Sequence, residues 1–175
     1  MEPLNTVGTA LGNDGPHSTI EHGGTVFDFL YPSPLSVARL EQQVARIAMA
    51  NVSELSGVLG PVEYAQLHTS TLQALTAKKH AFGGELFATI TAGSDGPALF
   101  LWSYLNPACM ASLDQIRDLI AAKPEECTRV IVSLTPDFYR AAAKLRKIPA
   151  AAIEDVINKA LAAFESRVSP AKFTP

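Results

Sequence analysis

Residues 18–44, STIEHGGTVFDFLYPSPLSVARLEQQV, decide the fold. Two β-prone runs, 18–22 and 25–31, flank Gly23-Gly24. Both loop residues can take positive φ, which a two-residue hairpin turn requires, so the spacing predicts a β-hairpin. In its second strand Val26, Asp28 and Leu30 face one way, and Phe27, Phe29 and Tyr31 the other. A lone hairpin is marginal in water, so this aromatic face needs cover. Ser33 is placed to cap a helix with Pro34 at its first position. Val37, Leu40, Val44, Ile47 and Ala48 then recur at helical spacing, which leaves Arg39, Glu41, Gln42 and Arg46 outside.

The helical pattern continues downstream. Ser53 is expected to cap a short turn through Leu59, and Gly60-Pro61 resets the chain. A helix over 61–79 would carry Tyr64, Leu67, Thr71, Leu72 and Leu75 on one face, with Lys78-Lys79 suited to its C-terminal dipole. Residues 85–105 have two readings. Segments 86–92 and 98–105 could pair as strands through the Gly93–Gly96 loop. Alternatively, Ser94 or Asp95 caps a helix with Pro97 in its first turn, ended by Asn106-Pro107. The helix is preferred after Pro97, because the first hairpin already supplies its own pairing. Ser112 and Gln115 form a capping box for a helix through Ala122. Pro124 opens another, ending near Leu134, and Thr135-Pro136-Asp137 opens the next, with Phe138, Tyr139, Ala142 and Leu145. Pro149 opens the longest, over 150–168, with Ile153, Val156, Ile157, Ala160, Leu161 and Phe164 as its stripe. The expected fold is therefore mainly α. An extended arm (1–17, rich in Gly, Asn and Pro) precedes a single domain (18–168) in which an N-terminal β-hairpin (18–31) leads into a compact multi-helix body, and a tail (169–175) follows.

Charge and composition narrow the function. A net charge of −3 with scattered lysines and arginines argues against a nucleic-acid binder. No apolar run approaches the length of a membrane span, and the first residues lack the pattern of a secretory signal. Cys109 and Cys127 match neither a zinc motif nor a disulfide framework, so free thiols in a reducing compartment are expected. His17, His22, His68 and His80 stand at no ligand spacing, so neither metal nor other cofactor is expected. No GxSxG elbow, P-loop or dinucleotide fingerprint is present, and the acidic pairs Glu125-Glu126 and Glu154-Asp155 sit where a helix start or a solvated face favours acid. The chain reads as a non-enzyme. The run Phe100, Trp102 and Tyr104 reads as core or subunit interface rather than as a ligand platform. With Phe27, Phe29 and Tyr31 of the hairpin, these aromatics are the candidate partner contacts.

The order of elements resembles the tail assembly chaperones of long-tailed bacteriophages. The resemblance rests on STIEHGGTVFDFLYPSPLSVARLEQQV (18–44), a hairpin leaving through a Pro/Ser step into a helix. It also rests on PALFLWSYLNPACMASLDQIRDLI (97–120) followed by PEECTRVIVSL (124–134). The similarity spans about residues 18–145. It implies a cytoplasmic morphogenesis factor that binds helical segments of a tape-measure protein, recruits tail-tube subunits and has no catalytic residues. Capture would be of the helix-in-groove kind. The alternative is a structural virion subunit, a head–tail connector or capsid-decorating protein, whose arm threads between neighbouring subunits. Self-association is compatible with both.

Overall fold

Gly23 and Gly24 adopt φ of +58° and +76°, the left-handed pair that a twisted two-residue hairpin needs. The computed structural model describes residues 17–168, with side chains to residue 162. Strands β1 (Ser18–His22) and β2 (Thr25–Phe29) pair antiparallel with Ile20 opposite Phe27. The strand alternation holds: Phe27 and Phe29 are buried, whereas Val26 is half exposed. His17, assigned by its sequence to the arm, belongs to the hairpin. Its amide donates to the Phe29 carbonyl at 2.7 Å, and its Nε2 hydrogen-bonds Ser133 Oγ at 2.8 Å. The expectations for the rest of the arm and for the tail fall on residues 1–16 and 169–175, outside the described residues.

The other edge of β2 is filled by residues 104–106. Leu30 N–H donates to the Tyr104 carbonyl and Asn106 N–H to the Asp28 carbonyl, both at 2.8 Å. This third extended piece ties the hairpin to the helical body.

Helix α1 (Pro34–Glu54) starts at Ser33, whose Oγ accepts from Ser36 N–H at 3.4 Å while Ser36 Oγ accepts in return from Ser33 N–H. Its inner face is Val37, Leu40 and Val44, all fully buried. Two expectations for this helix are corrected. Ser53 does not cap a new turn; α1 runs through it, its hydroxyl donates to the Met49 carbonyl at 3.0 Å, and a 3-10 turn (Leu55–Gly57) follows. Glu41 does not face solvent, because it meets a cation and an amide inside the fold.

After α2 (Pro61–Thr76), the ambiguous region resolves as two helices, α3 (Glu85–Thr91) and α4 (Gly96–Tyr104). The β-branched residues 89–91 do not form a strand. Thr91 satisfies its hydroxyl on the Phe87 carbonyl at 2.7 Å, and residues 104–106 already occupy the free edge of β2. Asp95 holds the N-cap position of α4 but makes no capping bond. Its carboxylate takes Arg117 in a two-point grip at 3.0 and 2.7 Å.

Helix α5 (Leu113–Ala122) has its expected box, with Gln115 N–H to Ser112 Oγ at 3.2 Å and Ser112 N–H to Gln115 Oε1 at 2.8 Å. Helix α6 (Pro124–Arg146) is one helix where the sequence predicted two. Pro136 lies inside it, and Thr135, the expected cap, is fully buried and shares a 3.2 Å hydrogen bond with Tyr104 Oη. A mid-helix proline costs about 3 kcal/mol. The buried face runs unbroken past it through Ile131, Leu134, Phe138 and Ala142, each at most 1% exposed. Burying one such large side chain contributes about 1.5–3 kcal/mol, so continuity outweighs the break. Lys147, at φ +56°, ends α6, and α7 (Ala150–Val168) turns back along it. At 19 residues α7 is shorter than α6 at 23, contrary to expectation. Ile153 and Ile157 of its stripe are buried, Val156 is not, and the Phe164 side chain lies outside the described set.

Candidate functional site: an apolar groove between α3 and α7

The body of the protein is held by an aromatic cluster. Phe100 of α4 lies 5.3 Å from Phe138 and stacks on Tyr139 at 6.1 Å, ring centre to ring centre. Phe82 meets Tyr139 edge-on at 5.2 Å and Phe87 at 5.5 Å. One side of this buried cluster borders a groove. Between α3 and α7 lies a groove of about 410 Å³, with Phe82, Phe87, Phe100 and Tyr139 at its base and Ile153 and Val156 along one wall.

Phe82 reaches the groove because the loop from 77 to 84 is clamped. Its own amide donates to Glu41 Oε1 at 2.9 Å, and Arg146 at the end of α6 closes on both Glu41 oxygens at 2.6 Å. The pair thus joins α1, the loop and α6. Lys78 and Gly83 take left-handed φ of 56° and 83° to make the turn. Gly84 passes so close to Lys79 that a Cβ there would sit 2.3 Å from the Lys79 carbonyl oxygen.

The groove base is uncharged. Burial pushes the Tyr139 hydroxyl up to about 12, so the phenol stays neutral across ordinary pH. Lys159, at the rim, is already paired with Asp155 at 2.6 Å. Such a surface favours a row of apolar side chains over a charged or strongly polar ligand.

Of the six candidate contacts, four belong to the protein's own interior. Phe27, Phe29, Phe100 and Tyr104 are 2%, 0%, 1% and 1% exposed, which corrects their reading as partner contacts. The helical body supplies the cover that the hairpin aromatics need, and only Phe100 adds to the groove base. Tyr31, just past the end of β2, is half exposed and packs edge-on against the His17 ring at 4.6 Å. Trp102 is partly buried and has polar neighbours. The Arg39 guanidinium sits 4.7 Å over its ring, and the indole N–H donates to the Ala111 carbonyl at 3.3 Å. Partial desolvation at this site lowers the Arg39 pKa. Sequence reasoning missed Phe82, Phe87 and the groove role of Tyr139. A usable signal was the Phe82-Gly83-Gly84 step, where glycine pairs so often mark a tight approach.

Other reactive side chains are held in structural surroundings. Cys127 is buried and its thiol pushed up to about 11, chiefly by desolvation, while Cys109 Sγ donates to the Val26 carbonyl at 3.4 Å. Among the described residues no cluster of three or more His, Cys, Asp or Glu could hold a metal ion, and no helix is long and apolar enough to cross a membrane.

Comparison with protein-family models, with curated proteins and with solved structures returned no match.

Proposed function

We propose that this protein is a non-enzymatic morphogenesis factor of the tail-assembly-chaperone kind, which captures amphipathic helical segments of a tape-measure protein in the groove between α3 and α7. The observation that carries the reading is the uncharged groove between α3 and α7, whose aromatic base is 9% exposed or less and whose wall carries the exposed Val156, among the described residues. A helix presenting apolar residues at i, i+3 or i+4, and i+7 suits such a surface. The reading places the protein in the host cytoplasm during assembly. Residence in the finished virion, as a connector or decorating subunit, is the alternative, and the arm on which that alternative rests lies outside the described residues.

Val156 is the position to test, since it lines the groove and is 41% exposed. Val156→Glu should leave folding intact, because a solvent-facing change there removes little packing. On co-expression, the unaltered protein should keep its tape-measure partner in the soluble fraction, and Val156→Glu should not. A tape-measure protein that is equally soluble with either form, or with neither, sinks the groove reading. Abundance of the protein in purified particles would favour the virion alternative.

A further inference from the structure

We propose that the outer face of α1, with Trp102 beside it, binds an acidic helical segment of a partner protein. The groove plays no part in this, since no residue of α1 lines it. Leu35, Arg39, Gln42 and Arg46 fall within about 60° of one another around α1, opposite the buried Val37, Leu40 and Val44. Arg39 leans from this stripe onto α4. Its guanidinium covers the Trp102 ring at 4.7 Å and donates through Nη1 to the Leu105 carbonyl at 2.8 Å. Arg46 lies seven residues on, about 10.5 Å along the axis. Leu35, 59% exposed, stands one turn before Arg39. Met110, 95% exposed, adjoins Ala111, whose carbonyl takes the indole N–H.

Charge selects the occupant. Lys79, Arg117, Lys123, Arg140, Arg146 and Lys159 each lie within 3.3 Å of a carboxylate. Arg39 and Arg46 have no carboxylate partner among the described residues. Their own helix offers none on this side. Its acids are Glu41, which Arg146 holds on the inner side, and Glu54 at the far end. The segment 96–113, which carries Trp102, contains no charged residue. Arg39 is nonetheless half-buried, and desolvation lowers its pKa. A cation so placed is costly without a counter-charge. A carboxylate approaching from outside would supply it, meeting donors of the guanidinium fork that Leu105 does not use. The stacked indole holds that fork in place, so little side-chain freedom is lost on binding. Arg, Trp and Met are also residue types enriched at protein interfaces. Two carboxylates seven residues apart on a helix span the same distance of about 10.5 Å as Arg39 and Arg46, so a helix lying along α1 meets both. The exposed aliphatic flanks and the chain's net charge of −3 favour such a segment over a polyanion.

Trp102 is the only tryptophan, so its emission reports on this site. The probe is a capped peptide of about 16 residues made of alanine, leucine and glutamate, with two glutamates seven positions apart and a leucine one turn outside each. It should change the Trp102 emission saturably, with an affinity that falls as salt rises. Arg46 is exposed, so Arg46→Glu should keep the circular dichroism melt of the unaltered protein while the peptide binds at least several-fold more weakly. A peptide with lysine in place of one glutamate should bind Arg46→Glu better than the original peptide does, and the unaltered protein worse. Arg39→Lys, which keeps the charge and loses the fork, should also weaken binding. No saturable change at millimolar peptide, or an affinity indifferent to Arg46→Glu, overturns the proposal. So does a stronger response to phosphatidylserine vesicles than to the peptide, which would make a lipid surface the occupant. Val156→Glu should bind the peptide as the unaltered protein does, so failure of this face and failure of the groove reading are distinguishable.

Discussion

Helices α2 and α4 are both nearly free of charge and end in opposite places. α4 has no charged residue in nine, and α2 has one in sixteen. Yet eight residues of α4 are buried and none of α2. The difference lies in their neighbours. α4 is met by α1, α3, α5 and α6, and its last residues join the sheet, whereas α2 leans mainly on α1 and the 3-10 turn after it. Low charge alone therefore does not decide whether a helix is buried. In α4 the chain supplies the cover. In α2 the uncharged outer face stays exposed among the described residues.

The contrast can be broken most directly at Phe100. Phe100→Ala removes a ring that is 1% exposed and touches both Phe138 and Tyr139. Urea unfolding should show a loss of about 3–5 kcal/mol. A loss below about 0.5 kcal/mol, the ordinary scale of surface changes, would mean that α4 is not the centre of the core. Glu41→Ala comes next, since it strands Arg146 and the Phe82 amide together. The expected cost is roughly 2–3 kcal/mol, with Glu41→Gln recovering part of it by keeping an acceptor for the amide. An unchanged midpoint would show that the loop needs no clamp.

A third effect is read against pH. Burial raises Tyr139 from 10.0 to about 12, and Cys127 from 9.0 to about 11. For an acid whose pKa is raised by folding, its contribution to stability is fully present below the unfolded value and is lost as pH climbs to the folded one. Stability should therefore decline from pH 9 as Cys127 begins to ionise in the unfolded chain, and more steeply between pH 10 and about 12 as Tyr139 joins it. Tyr139→Phe should shallow the upper part of that decline; an identical slope would place the Tyr139 hydroxyl in water. The smallest effect belongs to α2. Val62→Ala or Leu72→Ala should move the stability of the monomer by no more than about 0.5 kcal/mol, and a larger loss would mean that α2 is already packed.

Much of the fold was legible because its signals are local. Gly23-Gly24, Ser33-Pro34 and the Ser112 to Gln115 box each act within four residues, and each does what its chemistry predicts. The errors share a different cause. Pro136 reads locally as a helix start, but its meaning is set by Phe138 and Ile131 packing on either side of it. Glu41 reads as a solvated acid on a helix face, but Arg146 comes to it from more than a hundred positions away. The six aromatic residues were singled out as candidate partner contacts, yet burial is a property of the assembled helices. Four of them proved to be interior, and the groove joins one of these, Phe100, to Phe82, Phe87 and Tyr139.

Gly84 gives the proposed groove an unusual genetics. A captured helix would lie against Phe82 and Phe87, not against Gly84. Any other residue at 84 would still drive a carbon into the Lys79 carbonyl and push the loop, with Phe82 on it, out of place. A screen scored by capture would therefore rank Gly84 with the contact residues, although no partner reaches it. Second-site suppressors separate the two cases: those of Val156→Glu can arise in the partner, whereas those of a Gly84 replacement must arise in this chain, where the loop can be reset.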